Sequence, residues 1–264
     1  KELIDAGKNL QLIANYAVGY NNIDIAYATF KKIAVANTPD PVIEPTAELA
    51  FGLMLAAARR IAECDRKLRT KELKWGVFEN LGVSLHGKTL GIIGMGRIGQ
   101  AIARRAVASC MNIIYFNRNR LANNIEKEYQ ATYFDIDTVL KKSDFISLNV
   151  PLTKETHHLI DLNALKNMKK EAILINTARG PVVDEEALVF ALKNNIIKGA
   201  GLDVFEQEPK IHPELLLIDQ VVLAPHNGTA TIEGRNDMTR FTCQNILRFF
   251  DGRKDFACVN PEIL

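Results

Sequence analysis

The sequence predicts an α/β protein in which a doubly wound parallel sheet is inserted into a second, smaller α/β domain. Three observations predict it. Strand and helix patterns alternate across residues 89–224, as they do in parallel sheets with helical crossovers. The first of those strands runs straight into Gly94-Met95-Gly96-Arg97-Ile98-Gly99, a glycine-rich turn that opens a helix. The stretch before Thr89 is different in kind, with its own strand, turns and a long helix.

In chain order, residues 10–14 form a strand candidate, 19–22 a Gly/Asn-rich turn and 38–45 a proline-punctuated link. A long helix follows over about 46–69. Its most apolar part, 49–58, lies between Glu48 and the Arg59-Arg60 pair and is too short to span a bilayer, so it reads as a buried helix. The strand beginning at Thr89 leads to the glycine turn. Gly94 permits the tight turn, Gly96 lets backbone approach a pyrophosphate held at the helix N-terminus, and Gly99 lets the helix sit close on the sheet. The helical pattern Ile98, Ala101, Ile102, Arg105, Ala106 and a strand at 111–116 complete a βαβ unit, the context that marks a dinucleotide site. Further strands fall at 145–150, 172–176, 200–204 and 221–224. Asp184 can cap a helix over 185–194, with Glu185 and Glu186 in the first turn where the helix dipole favours them. A last helical pattern over about 232–250 crosses back to the first domain. The domains are therefore read as 1–80 with 232–264, and 81–231 for the Rossmann-type dinucleotide-binding sheet.

The 264 residues are enough for two cores. With 33 basic and 31 acidic side chains the formal charge is +2, which makes no electrostatic case for nucleic acid or a membrane surface. Cys64, Cys110, Cys243 and Cys258 fall in no paired or metal-like spacing, so no metal is expected and reduced thiols in a cytoplasm are. No signal peptide is visible.

In an open α/β sheet the ligand lies outside the carboxyl ends of the strands. Three strand ends there carry chemistry: Arg179 after the strand ending at Asn176, Glu208 after the one ending near Val204, and His226 after the one ending at Ala224. Hydride transfer to a 2-oxo acid needs this set: a guanidinium to fork onto the carboxylate, an acid to protonate the carbonyl oxygen, and an anion to support that acid. Each has a plainer reading taken alone, Arg179 as a surface ion pair, Glu208 as a solvated loop acid. His86, His157, His158 and His212 read as solvated or capping histidines.

Together these segments resemble the D-isomer-specific 2-hydroxyacid dehydrogenases, nearest the glyoxylate/hydroxypyruvate reductases. The resemblance rests on the glycine loop, Val150-Pro151-Leu152-Thr153, Asn176-Thr177-Ala178-Arg179-Gly180, Leu202-Asp203-Val204-Phe205-Glu206-Gln207-Glu208-Pro209 and Pro225-His226-Asn227-Gly228-Thr229-Ala230-Thr231, and it covers essentially the whole chain. It implies that Arg179 binds and polarises substrate, that His226 is the acid/base, and that Glu208 assists the histidine. It also implies that the Val18 and Gly19 amides meet the substrate carboxylate and that Asp203 lies beside the nicotinamide. Met95 to Ile98, Val150, Pro151, Thr177 to Arg179, His226 and Gly228 are placed around the cofactor. The family forms homodimers, and its members begin about half a domain earlier, so the substrate domain is expected to be truncated at its N-terminus. Asn227 stands where an apolar residue is commoner.

The expected activity is thus NAD(P)H-dependent reduction of a small 2-oxo acid of glyoxylate or hydroxypyruvate type; a 2-ketogluconate or D-lactate type reductase, or a low-activity NAD(H)-sensing protein of the same fold, are the alternatives. Tyr27-Ala28-Thr29-Phe30-Lys31 matches the Tyr-x-x-x-Lys spacing of short-chain dehydrogenases, but it lies upstream of the glycine loop, the wrong order for that class. A formate dehydrogenase would resemble this chain with glutamine at Glu208. As to cofactor, NAD sites place an acid about 20 residues after the glycine loop to bind the ribose 2′-hydroxyl. Here Asn117-Arg118-Asn119-Arg120 follows the second strand, which predicts NADP(H) over NAD(H), with Asn117 and Arg118 as determinants and Asn119 beside them.

Overall fold

The computed structural model describes all 264 residues. Its elements are α1 (Glu2–Ala6), β1 (Leu12–Ala14), α2 (Ile25–Phe30), β2 (Ala34–Ala36), α3 (Ile43–Ala58) and α4 (Ile61–Arg69). There follow β3 (Thr89–Ile93), α5 (Arg97–Ala108), β4 (Asn112–Phe116), α6 (Asn123–Glu128), β5 (Ala131–Tyr133), α7 (Ile136–Lys142) and β6 (Phe145–Leu148). The chain continues through α8 (Leu162–Asn167), β7 (Ile173–Asn176), α9 (Glu185–Lys193), β8 (Gly199–Leu202), β9 (Val221–Leu223) and α10 (Ile232–Phe250).

These fall into two compact units, residues 1–45 with 229–264, and residues 46–228. In the first, β1 and β2 pair in parallel, Leu12 opposite Ala34. Ile4, Ala28, Ile33 and Val35 make its small core, with Leu10, Ile13 and Tyr27 packed against them. Such short strands cannot hold register alone; a buried amide does it. Asn260 accepts the Val35 N–H at 2.8 Å and donates to Ile33 O at 3.0 Å.

The second unit holds a seven-stranded, wholly parallel sheet in the order β5-β4-β3-β6-β7-β8-β9. Residues in β6, β7 and β8 are buried on both faces, the expectation for strands covered by crossover helices. Helix caps read from the sequence form as side-chain bonds: Asp184 accepts the Ala187 N–H at 3.0 Å.

The unit boundary differs from the sequence expectation. Residues 46–80, assigned there to the first domain, are part of the sheet unit, and 229–231 are not. The physical reason is close packing: a Cβ on Gly201 of β8 would come within 3.0 Å of Leu53 Cβ on α3, and Val83 donates to Ala58 O at 2.8 Å. The single helix expected over 46–69 is also two helices. Arg60 takes a left-handed conformation, φ 55°, at the start of α4, held by its guanidinium gripping Glu63 at 2.7 and 2.6 Å. The strand expected at 10–14 is confined to Leu12–Ala14. No helix is long and apolar enough to cross a membrane.

Candidate active site

Strand order reverses between β3 and β6, so the switch-point crevice opens at the carboxyl ends of those strands. Gly94 leaves β3 with φ 93°, and a Cβ there would meet the Asn149 carbonyl at 2.8 Å. Around Gly96, by contrast, a Cβ would meet nothing within 4 Å. Met95 N–H is held by Asn117 Oδ1 at 2.7 Å, which pins the glycine loop to the end of β4. Two buried oxygens at neighbouring strand ends, Asn149 Oδ1 after β6 and Thr177 Oγ1 after β7, have no hydrogen-bond partner in the chain. Buried polar atoms ordinarily find a partner. A positive-φ glycine, an open approach at Gly96, the N-terminus of the twelve-residue α5 and two orphaned polar atoms together fit a bound dinucleotide.

At the far side of the same sheet unit, β7, β8 and β9 bring Arg179, Glu208 and His226 to their carboxyl ends. Asn176 shapes the first turn, its side chain donating to Arg179 O at 3.0 Å and accepting from Ala178 N–H at 3.0 Å. Gly180 allows that turn to lie directly on the Phe205–Glu206 backbone, where a Cβ would be 1.8 Å from Phe205 O. Burial pulls the Arg179 guanidinium below its ordinary pKa and the Glu208 carboxylate pushes it back; an arginine stays charged either way. One Glu208 oxygen accepts the Phe205 N–H at 2.9 Å and the other meets His226 Nδ1 at 2.6 Å. The imidazole is half exposed. With Nδ1 occupied, Nε2 is the nitrogen available for proton exchange.

His226 has φ 50°, a region a non-glycine residue enters at some cost. Asp203 holds it there. His226 N–H donates to Asp203 O at 2.8 Å, while Asn227 and Gly228 N–H donate to the two carboxylate oxygens at 2.8 and 2.9 Å. Burial raises the Asp203 pKa, opposed by these two backbone donors. This bracing role, like those of Asn149, Asn176 and Gly180, is absent from the sequence reading. Their only signal there is position at or shortly after the carboxyl end of an expected strand.

The other expected residues divide. Arg118 and Asn119 are exposed beyond β4, and Asn117 is half-buried. Arg120 is taken up by Glu126, in paired bonds of 2.8 Å, with Tyr115 Oη donating to the same carboxylate at 2.7 Å. Val150 is half-buried and Pro151 exposed after β6. Val18 and Gly19 lie in the other unit, their carbonyls accepting from Asn37 and Asn15 side chains at 2.9 and 2.8 Å. Tyr27 and Lys31 are spent on Asp5, at 2.7 and 2.6 Å. His212 accepts the Glu214 N–H at 3.3 Å, a capping role.

Residues 51–228 match the family model described as D-isomer specific 2-hydroxyacid dehydrogenase, NAD binding domain. A glyoxylate reductase of Thermococcus litoralis is 52% identical over all of this chain and 81% of its own length. Among solved structures, an NADPH-dependent glyoxylate/hydroxypyruvate reductase of Sinorhizobium meliloti, in complex with NADP and malonate, is 36% identical with TM-score 0.91 over 98% of this chain and 80% of its own. A D-lactate dehydrogenase of Aquifex aeolicus, complexed with NAD and lactic acid, is 33% identical with TM-score 0.86 over 96% of this chain and 80% of its own. With identity of this extent carried on a parallel sheet and a glycine-turn crevice of this form, the chain belongs to the D-isomer-specific 2-hydroxyacid dehydrogenase family, on its glyoxylate reductase branch, and is an NAD(P)-dependent oxidoreductase of 2-oxo acids.

Proposed function

We propose that this protein reduces glyoxylate, or a close 2-oxo acid such as hydroxypyruvate, to the 2-hydroxy acid, with NADPH preferred over NADH. The observation that carries the reading is the 2.6 Å bond between His226 Nδ1 and Glu208 Oε2 with Arg179 delivered from the adjacent strand end. Glu208 orients the imidazole through this bond. His226 gives its Nε2 proton to the carbonyl oxygen as the carbonyl carbon is reduced. Arg179 forks onto the substrate carboxylate and polarises the carbonyl. The Val18 and Gly19 amides are proposed as further carboxylate donors. The dinucleotide, its pyrophosphate at residues 94–99 and Asn117, Val150, Pro151, Thr177, Ala178, Asp203 and Gly228 along its length, would supply the hydride from its nicotinamide when bound.

The preference for NADPH is supported by an amide at Asn117, where an acid would repel a 2′-phosphate, and by the exposed Arg118 guanidinium next to it. The S. meliloti enzyme is a relative whose complex holds NADP. A homodimer is supported by Trp75, Val77 and Phe78, each at least 85% exposed within one short segment.

The test is consumption of reduced cofactor with glyoxylate, hydroxypyruvate, pyruvate and 2-ketogluconate, each with NADPH and NADH. His226→Ala is expected to lower kcat by about 10²- to 10⁴-fold, the usual contribution of general acid catalysis. Cofactor binding without turnover of any of the four acids would replace the enzyme reading with the sensor reading.

A further inference from the structure

A second cluster of side chains lies in the sheet unit, apart from the groups assigned to catalysis and cofactor binding. His157 and His158 come from the segment after β6, Asp184 caps α9 after β7, and Glu206 follows β8. Successive strand ends thus deliver two imidazoles and two carboxylates. One nitrogen from each histidine and one Glu206 oxygen lie within 4.8 Å of one another. The two rings stack, centroids 4.0 Å apart and planes 30° from parallel. His158 Nε2 meets Glu206 Oε1 at 2.7 Å, and its Nδ1 faces Asp184 Oδ2 at 4.0 Å. The other Glu206 oxygen accepts the Glu185 N–H at 3.3 Å, which fixes the carboxylate with Oε1 toward the histidine.

Two imidazoles and a carboxylate are the donor set of zinc sites that keep a fourth position for water. A ligating histidine usually turns its other ring nitrogen to a carboxylate, which sets the tautomer and strengthens the ligand. Asp184 Oδ2, 4.0 Å from Nδ1, is the carboxylate on that side of His158, and a small turn of the ring would bring it to hydrogen-bond distance. Metal–ligand bonds of about 2.1 Å require donors roughly 3.4 Å apart. Here His158 Nε2 and Glu206 Oε1 are 2.7 Å apart and all three donors lie within 4.8 Å of one another, so the set must adjust to that spacing, for which the exposed His157 ring can turn.

We propose that His157, His158 and Glu206 form a site for a divalent transition metal of the zinc type, with water completing four-coordination and Asp184 orienting His158. Without the ion the His158 Nε2–H donates to Glu206; on binding, the ion takes the place between Nε2 and the carboxylate, and the neutral ring carries its one N–H on Nδ1, toward Asp184. Occupation ties the segment after β6 to the loop after β8. Glu206 lies two residues before Glu208, so the ion fastens the loop that carries the carboxylate bonded to His226.

The test uses the whole chain with its four free cysteines alkylated, since thiols would compete for the ion. Zn²⁺ is titrated calorimetrically, and Co²⁺ is titrated by visible absorption to report tetrahedral geometry. One Zn²⁺ per chain is expected, with affinity weakened at least about tenfold in His157→Ala and about tenfold in Asp184→Asn, which keeps the α9 cap. Zn²⁺ should raise the melting temperature of the parent and not of His157→Ala. An equal melting temperature of both in chelator confirms that the exposed substitution leaves the fold alone. Binding undiminished in His157→Ala, or no stoichiometric binding by the parent at micromolar Zn²⁺, overturns the site.

Discussion

Gly180→Ala adds one methyl group at the point where the Arg179 turn lies on the Glu208 loop. The new Cβ would sit 1.8 Å from Phe205 O, 1.9 Å from Phe205 C and 2.5 Å from Glu206 N, all backbone atoms, whereas real Cβ contacts are at least 3.0 Å. The two loops must therefore part by at least about 1.2 Å (3.0 − 1.8). Arg179 is the residue before the methyl, and Phe205 N–H is bonded to Glu208 Oε1 at 2.9 Å, so the separation displaces Arg179 from the Glu208–His226 pair. Misplacement of a positioning group by about 1 Å costs roughly 10²-fold in rate. Overpacking of this kind costs about 1–3 kcal/mol, a fall of roughly 2–12 °C in Tm at this chain length. The assay is kcat/KM for glyoxylate, beside a thermal melt and direct binding of reduced cofactor. Cofactor binding should persist, because the glycine loop leaves a different strand, β3. A folded Gly180→Ala protein with kcat/KM within twofold of the parent would refute the claim that this close approach registers Arg179.

Three further outcomes follow from the same geometry. Arg179→Lys keeps the charge but cannot fork onto a carboxylate, so KM for the 2-oxo acid should rise about tenfold or more; an unchanged KM sinks the clamp. Asn117→Asp with Arg118→Ile keeps an acceptor for the Met95 N–H, now 2.7 Å from Asn117 Oδ1, so the glycine loop stays in place while the preference moves toward NADH. A swing of about tenfold per 1.4 kcal/mol is expected in the ratio of kcat/KM values for the two cofactors, and a parent with equal values for both would defeat the assignment. The buried Glu63 carboxyl is held at about 2, chiefly by hydrogen bonds from Arg60, with Lys67 adding to it, against an ordinary 4.5. A depressed carboxylate pKa stabilises the fold fully above the unfolded value and is lost as pH falls through the folded one. The contribution is at most about 3 kcal/mol ((4.5 − 2) × 1.36). Glu63→Gln should therefore lower the urea midpoint at neutral pH and flatten its decline between about pH 5 and 2; an unaltered decline would count against the pairing.

The sequence by itself determined the parallel sheet, the glycine turn and the strand ends that carry Arg179, Glu208 and His226. These are local properties: a strand's apolar run, the absent side chains of Gly94 and Gly99, and a capping Asp184 act over a few residues and show in their order. Strand ends came out one or two residues long, as at Val150, because pairing with neighbours decides where a strand stops. β2, three fully buried residues at Ala34–Ala36, is too short to carry a period and takes its identity from β1. Other features depended on which distant backbones meet. Only the fold brings Gly180 against Phe205, turns the Asp203 carboxylate to the Asn227 and Gly228 amides, and pairs Arg120 with Glu126, since each partner lies 6 to 25 residues away along the chain. The placing of residues 46–80 with the sheet was decided in the same way. A helix shows its apolar face in the sequence but not what covers it, and here Leu53 of α3 sits against Gly201 of β8, where the missing side chain makes room for it.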